Sequence, residues 1–161
     1  MLGLINSAPR IEQELGHEPN TTTGRPKLLI VCHGNTCRSV MAEALARERF
    51  GDTIAVSSAG LKPQQPIDAS MAIETLKTYF EIDASSHIPR AVNDLQLDDF
   101  DYVVAVDKHV AKHLSAVPPA RLIVWNIPDP WNDNLLKYRS AALRINNEVS
   151  KLATVLKKCT L

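Results

Sequence analysis

Apolar residues along the chain follow two alternating patterns. Short apolar runs rich in branched residues predict buried strands, and these lie at 27–31, 53–58, 101–106 and 121–125. Apolar residues spaced three or four apart predict helices, and these lie at about 39–50, from about 68 to 80, at about 109–114 and from about 135 onward. Strands that alternate with helices indicate parallel pairing.

The predicted fold class is therefore α/β, with a doubly wound, four-stranded parallel sheet and helices on both faces. Ligands of such sheets bind at the carboxyl ends of the strands, near the point where the strand order reverses. The loop VCHGNTCRS, residues 31–39, directly follows the first strand. We therefore expect the functional site in this loop.

The remaining chain organisation is simple. Residues 1–26 are polar and interrupted by proline, glycine and a threonine run, so we predict a flexible N-terminal extension. Residues 27–161 then form one domain, because 161 residues with 45% hydrophobic content suit a single core.

Charge and cysteine content narrow the functional classes. Lysine plus arginine balance aspartate plus glutamate at 18 each, so we expect neither nucleic acid nor a membrane surface as a partner. The three cysteines form no disulfide pattern, and no apolar run is long enough for a signal or a membrane span. We expect a cytoplasmic protein with free thiols, as a monomer or weak dimer.

The loop after the first strand has the composition of a phosphate site. Backbone amides at a helix N-terminus bind a tetrahedral dianion, and Gly34 helps the tight turn. Beside an arginine, Cys32 is expected to ionise easily and act as a nucleophile. Arg38 can hold two phosphoryl oxygens, and Ser39 can cap the helix and donate to the sulfur. The predicted phosphate-binding residues are His33, Gly34, Asn35, Thr36, Cys37, Arg38 and Ser39.

Cys32, the five residues that follow, Arg38, Ser39 and then MAEAL resemble the start of the low-molecular-weight protein tyrosine phosphatases, a family that also includes related arsenate reductases. The resemblance covers about residues 27–158. It is supported by further similar stretches at Ser57–Gly60, Ser86-His87 with Arg90, Asp107 and Asp129-Pro130.

The resemblance implies hydrolysis of phosphotyrosine or aryl phosphate in two steps. Cys32 would attack phosphorus, and a cysteinyl-phosphate would then be hydrolysed by water. Asp129 would protonate the leaving phenolate and then act as a base, with Ile127, Pro128 and Trp131 reducing its hydration. A network that holds the loop is also implied, and it consists of Asn35, Ser39, Ser58 and His87.

The sequence departs from the family pattern around substrate recognition. His33 and Thr36 stand where aliphatic residues are common, and Val40 stands where proline is common. The pocket wall, with His33 and Trp131, is therefore expected to be more polar. Trp131 could stack on a phosphotyrosine ring, or it could simply cover the core.

Two features have more than one interpretation. Cys37 is either a small buried hydrophobic residue or the redox partner of Cys32 in a reversible disulfide. His109 and His113 have a spacing that could supply zinc ligands together with Cys32 and Cys37, but the loop suits an anion better. We therefore predict no metal and no cofactor.

Three functions are compatible with the loop. The first is a phosphatase that acts on a tyrosine-phosphorylated protein and is inhibited by inorganic phosphate or vanadate. The second is an arsenate reductase that uses an external thiol, because no cysteine occurs between Arg38 and Lys158 to receive the oxidation. The third is a noncatalytic phosphate-binding module, which the joint presence of Cys32, Arg38 and Asp129 disfavours.

Overall fold

The structure is a computed structural model that describes residues 24–159, with side chains described as far as residue 156. The extension predicted for residues 1–26 lies outside the described residues except for 24–26. The described part begins with a short bend and enters the first strand at Lys27.

Four strands form one parallel sheet, as predicted. They are β1 (Lys27–Cys32), β2 (Ala55–Gly60), β3 (Tyr102–Ala105) and β4 (Leu122–Val124). The strand order is β2-β1-β3-β4, and every neighbouring pair is parallel. Cys32, at the end of β1, pairs with Gly60, at the end of β2. The carboxyl ends of the strands therefore meet at one edge, as the strand-end site requires.

Residues 24–159 contain four α-helices: α1 (Arg38–Phe50), α2 (Ser70–Phe80), α3 (Lys108–Ala111) and α4 (Leu135–Cys159). The core lies on both faces of the sheet, because Leu28, Leu29, Ile30 and Val31 are all fully buried and successive strand residues point to opposite faces. α4 packs against α1 and α2 with a buried stripe. No described helix is long and apolar enough to cross a membrane.

Several element boundaries differ from the predictions. β2 continues to Gly60, two residues beyond its predicted end, because it keeps pairing with β1. A 3-10 helix, Pro66–Ala69, precedes α2, and two more at Val92–Asp94 and Leu97–Asp99 lead into β3. α1 begins at Arg38, so Ser39 is inside its first turn; the prediction that Ser39 caps the helix was wrong.

Candidate active site

The loop between β1 and α1 is held in place by hydrogen bonds to its backbone carbonyls. The carbonyls of Cys32, His33 and Gly34 accept hydrogen bonds of 3.1, 2.8 and 3.0 Å from backbone amides of segment 61–64, which follows β2. With its carbonyls bonded on that side, the loop leaves backbone amides available for an anion on the other side.

Gly60 allows this close approach. A Cβ atom at Gly60 would lie 2.7 Å from the backbone nitrogen of Asn35 and 2.8 Å from the carbonyl carbon of Gly34. Both neighbours are backbone atoms, which cannot move aside as the end of a side chain can. The end of β2 and the loop therefore fit together only with glycine at this position.

Asn35 is the centre of a buried network. Its backbone is left-handed, with φ of 55°, and the residue is fully buried. Its Nδ2 donates to Ser39 Oγ and Ser58 Oγ, both at 2.9 Å, and its Oδ1 accepts from the backbone N–H of Arg90 at 3.0 Å. His87 Nε2 donates to the Asn35 carbonyl at 2.7 Å. The structure thus brings all four predicted network residues together and adds Arg90.

Cys32 lies at the end of β1 and is buried. Its sulfur is 2.9 Å from Ser39 Oγ and accepts a hydrogen bond from the Asn35 N–H at 3.3 Å. Ser39 misses the cap position but reaches the sulfur, as expected from sequence. Two hydrogen-bonding groups therefore face the sulfur at the start of α1.

Arg38 is the first residue of α1, and its side chain is only 4% exposed. Its Nη1 donates to Asp107 Oδ2 at 2.6 Å and to the carbonyl of Ile127 at 2.9 Å, and its Nη2 lies 3.5 Å from Asp129 Oδ2. Its Nε is buried and has no hydrogen-bond partner among the residues that the structure describes. A buried unpaired donor is costly, so this atom favours binding of an anion in the cleft.

Asp107 is a site residue whose role the sequence left open, although its position in the family pattern was noted. It caps α3 by accepting from the Val110 N–H at 2.8 Å, and it also holds Arg38. Burial alone would raise the pKa of Asp107, but the hydrogen bonds from Val110 and Arg38 and the Arg38 charge outweigh burial and hold this pKa below its ordinary value.

Asp129 follows β4, and its surroundings differ from those expected. Its side chain is 47% exposed, Pro128 is exposed, and the carbonyl of Ile127 accepts a hydrogen bond from Arg38. The carboxyl group is therefore only about half shielded from water. Instead, Asp129 is positioned by the Trp131 N–H, which donates to Oδ1 at 3.0 Å, and by Arg38.

These residues line one cleft with a volume of about 280 Å³. Its lining includes the expected His33 and Trp131, and the full set is Cys32, His33, Gly34, Thr36, Cys37, Arg38, Gln64, Asp129 and Trp131. Gln64 was not predicted. Its Oε1 accepts a hydrogen bond from Thr36 Oγ1 at 2.5 Å. The only sequence signal for Gln64 is its place shortly after the carboxyl end of β2.

Cys37 is a buried free thiol, like Cys32. Burial raises the pKa of the Cys37 thiol, and the nearby Cys32 and Asp129 raise it further. Tyr138 of α4 hydrogen-bonds to Cys37, and burial raises the pKa of its phenol as well. The choice between a core residue and a redox partner for Cys37 stays open.

His109 and His113 lie close to each other, with ring centroids 5.2 Å apart. Neither lines the cleft that contains Cys32 and Cys37. Within residues 24–159, no three His, Cys, Asp or Glu side chains are grouped as a metal site would require. The absence of a metal stays a prediction.

The geometry defines a class of protein: an α/β phosphate-binding protein with a cysteine at the base of its anion loop. Comparison with known proteins specifies the family. The family model described as low molecular weight phosphotyrosine protein phosphatase matches residues 27–160. The chain therefore belongs to the low-molecular-weight phosphotyrosine protein phosphatase family, and the sequence prediction of this family and of a phosphatase is confirmed.

Individual relatives carry three different names. The low-molecular-weight protein-tyrosine-phosphatase Ptp of Acinetobacter johnsonii is 29% identical over 132 residues, which cover 76% of this chain and 92% of that protein. An arsenate reductase of Staphylococcus xylosus is 32% identical and covers 64% and 77% of the two chains. The solved structure of the YwlE arginine phosphatase from Geobacillus stearothermophilus is 28% identical, has a TM-score of 0.69 and covers 83% and 94%.

Proposed function

We propose that the protein hydrolyses phosphotyrosine or aryl phosphate monoesters through a cysteinyl-phosphate intermediate, with a tyrosine-phosphorylated protein as its substrate. The observation that carries the proposal is the cleft itself, which Cys32, Arg38 and Asp129 line together, and the buried Nε of Arg38 has no hydrogen-bond partner within residues 24–159. This arrangement supplies a nucleophile, an anion clamp and a proton donor within one volume.

In the first step, Cys32 Sγ attacks phosphorus while the bond from phosphorus to the leaving oxygen breaks. Arg38 Nε and Nη2 bind two phosphoryl oxygens, and the loop amides bind the charge that spreads over them. Asp129 gives its proton to the leaving oxygen, so that a phenol rather than a phenolate departs. The phosphoryl group is then bonded to sulfur.

In the second step, Asp129 accepts a proton from a water molecule that attacks phosphorus. The sulfur leaves as a thiolate, and Ser39 Oγ, 2.9 Å away, donates a hydrogen bond to it. The products are inorganic phosphate and the free enzyme. Inorganic phosphate and vanadate are therefore expected to bind the same loop and inhibit.

Phosphoarginine is a second candidate substrate. The specific observation in its favour is the polar wall formed by Thr36 and Gln64, together with the similarity to a solved arginine phosphatase. Phosphoarginine would use the same steps, with Asp129 protonating the leaving nitrogen instead of an oxygen.

Arsenate reduction by an external thiol is the remaining alternative, supported by the arsenate reductases among the relatives. It requires a thiol from solution because the sequence has no cysteine between Arg38 and Lys158. A noncatalytic binding module would not need Asp129 beside Arg38.

We further propose that the protein is cytoplasmic, because Cys32 must stay reduced to act, and that it is a monomer or weak dimer.

The test is Cys32→Ser, assayed with p-nitrophenyl phosphate. Turnover should fall by more than about a thousandfold, because the hydroxyl is a far weaker nucleophile than the thiolate. Affinity for inorganic phosphate, measured by calorimetry, should change little, because Arg38 and the loop amides remain. Cys159→Ser is the matched control and should keep full turnover.

Two results would contradict the proposal. Substantial turnover by Cys32→Ser would remove the nucleophile assignment. Oxidation of an added thiol by arsenate, in wild-type protein that hydrolyses no phosphate ester, would establish the reductase instead.

A further inference from the structure

The cleft has two walls that come from opposite edges of the sheet. Asp129 and Trp131 follow β4, and Gln64 follows β2, while the loop with Cys32 follows the central strand β1. A substrate whose phosphoryl group sits in the loop must present its leaving atom to Asp129. The leaving group therefore extends between Trp131 on one side and Gln64 on the other.

Gln64 is fixed in this wall by three contacts. Its backbone N–H donates to the Gly34 carbonyl at 3.0 Å, and its Oε1 accepts from Oγ1 of the buried Thr36. Its Cδ lies so close to Gly34 that a Cβ atom there would be only 2.7 Å away. A side chain held in this way is already in place before a substrate arrives.

The amide group of Gln64 still has unused hydrogen-bonding capacity. Oε1 has a second lone pair, and Nε2 has no hydrogen-bond partner among residues 24–156. A planar group with N–H donors, such as a guanidino group, could bond to Oε1. A phenyl ring offers no hydrogen-bond donor. It would displace water from the Gln64 amide and leave the polar atoms of that amide without partners.

We propose that Gln64 is a specificity-determining residue that accepts a hydrogen bond from the leaving group and favours leaving groups with N–H donors over a bare aromatic ring. This inference rests on the cysteine-dependent phosphatase chemistry proposed above and deepens its second candidate substrate, phosphoarginine. With an N-phosphorylated guanidino substrate, the bond from phosphorus to nitrogen breaks and the bond from phosphorus to Cys32 sulfur forms. Asp129 protonates the departing nitrogen, while Gln64 Oε1 accepts from another N–H of the same group.

The test uses Gln64→Met, which keeps the length of the side chain and removes its hydrogen bonding. The readout is the ratio of kcat/KM for phosphoarginine to kcat/KM for phenyl phosphate. Loss of a hydrogen bond to a charged group should lower this ratio about tenfold or more. Gln64→Met also removes the hydrogen bond from Thr36, and phenyl phosphate reports any resulting change in the loop, so the ratio isolates the effect on the leaving group. Gln96→Met, the same change at an exposed position outside the cleft, is the control.

Each other outcome has a definite meaning. Equal losses for both substrates would overturn the inference, because Gln64 would then only support the loop. An unchanged ratio, or wild-type protein that hydrolyses phenyl phosphate and not phosphoarginine, would overturn it as well and leave the phosphatase intact. Wild-type protein that hydrolyses neither substrate would contradict the proposed function itself.

Discussion

Arg38 connects the ends of three strands through one guanidinium group. It begins the helix that follows β1, it bonds to Asp107 after β3, and it contacts Ile127 and Asp129 after β4. Asp129, the proposed proton donor, is thus positioned by the same side chain that we propose binds the phosphoryl group. Because Asp129 is about half exposed, this contact and the Trp131 N–H do the positioning that burial does not.

Asp129→Asn tests the proton donor. An acid matters most when the leaving group is poor, and such catalysis is typically worth about a hundredfold to ten-thousandfold. Phenyl phosphate should therefore slow strongly in Asp129→Asn, while p-nitrophenyl phosphate, whose leaving group is more acidic, should slow less. The measurement is kcat for a series of aryl phosphates.

Asp133→Asn supplies the control for this series, since it makes the same change at an exposed position four residues along the chain. It should leave the whole series unaltered. Equal slowing of every ester in Asp129→Asn would show that Asp129 only shapes its loop.

At the scale of elements, β2 and the segment that follows it determine the form of the phosphate loop. Segment 61–64 bonds to three loop carbonyls, and Gly60 lies directly against the backbone of Gly34 and Asn35. The loop is thus supported along most of its outer side. Small shifts of β2 relative to β1 should pass directly into the anion site.

Gly60→Ala tests this support. The added methyl group must displace backbone atoms of the loop by several tenths of an ångström, and misplacement of about 1 Å can cost a hundredfold in rate. We expect kcat/KM and phosphate affinity to fall at least about tenfold in a protein that remains folded by circular dichroism.

Gly51→Ala is the contrasting control. Gly51 has φ of 55° and ψ of −127° but open space where a Cβ would lie, so alanine there costs roughly 1–3 kcal/mol of backbone strain and touches nothing. It should lower Tm and leave phosphate affinity unchanged. If Gly60→Ala also lowered only Tm, the loop would not depend on the contact.

Within the described residues, sequence periodicity predicted the four strands and the four α-helices, because burial of one helix face repeats every three to four residues and short apolar runs mark buried strands. It failed at the boundaries where another element decides the conformation. β2 continues to Gly60 because it pairs with β1 as far as that residue. The helix α1 begins at Arg38, one residue before its predicted start at Ser39. The 3-10 helix Pro66–Ala69 carries no comparable periodic signal.

At the scale of the molecule, the stability of the fold depends on the protonation state of Asp107, which bonds to Arg38. Val110 and Arg38 hold the pKa of Asp107 below its ordinary value of about 3.9. A carboxyl group with a lowered folded pKa contributes stability that is present above its unfolded pKa. This contribution is lost as the pH falls through its folded pKa.

Asp107→Asn should therefore be less stable than wild type at pH 7 and at pH 5 by a similar amount. The gap should shrink as the pH falls below about 4 and close in stronger acid. Urea unfolding at each pH provides the measurement. Asp98→Asn removes an ion pair between the exposed Asp98 and Arg121 and should change little at any pH, because the Asp98 carboxylate is solvated. A gap that is independent of pH would mean that Asp107 acts through its shape rather than its charge.

The site was predictable from sequence only as far as residue types and family resemblance go. Cys32, Arg38 and Asp129 were identified, and the structure brings them into one cleft. The exposure of Asp129 and the presence of Gln64 were missed, because both depend on how segments from opposite edges of the sheet meet. Such distances across the fold leave no pattern in a local stretch of sequence.

The loop obtains its shape from residues that are not part of it. Its carbonyls bond to segment 61–64, and Asn35 bonds to Ser58, His87 and Arg90, which lie far away in the sequence. A short peptide with the sequence VCHGNTCRS lacks these hydrogen-bond partners, so we expect it not to adopt the loop conformation. Grafting this sequence onto another scaffold would therefore not reproduce the loop conformation or its activity, unless the end of β2 and the His87 segment were transferred with it.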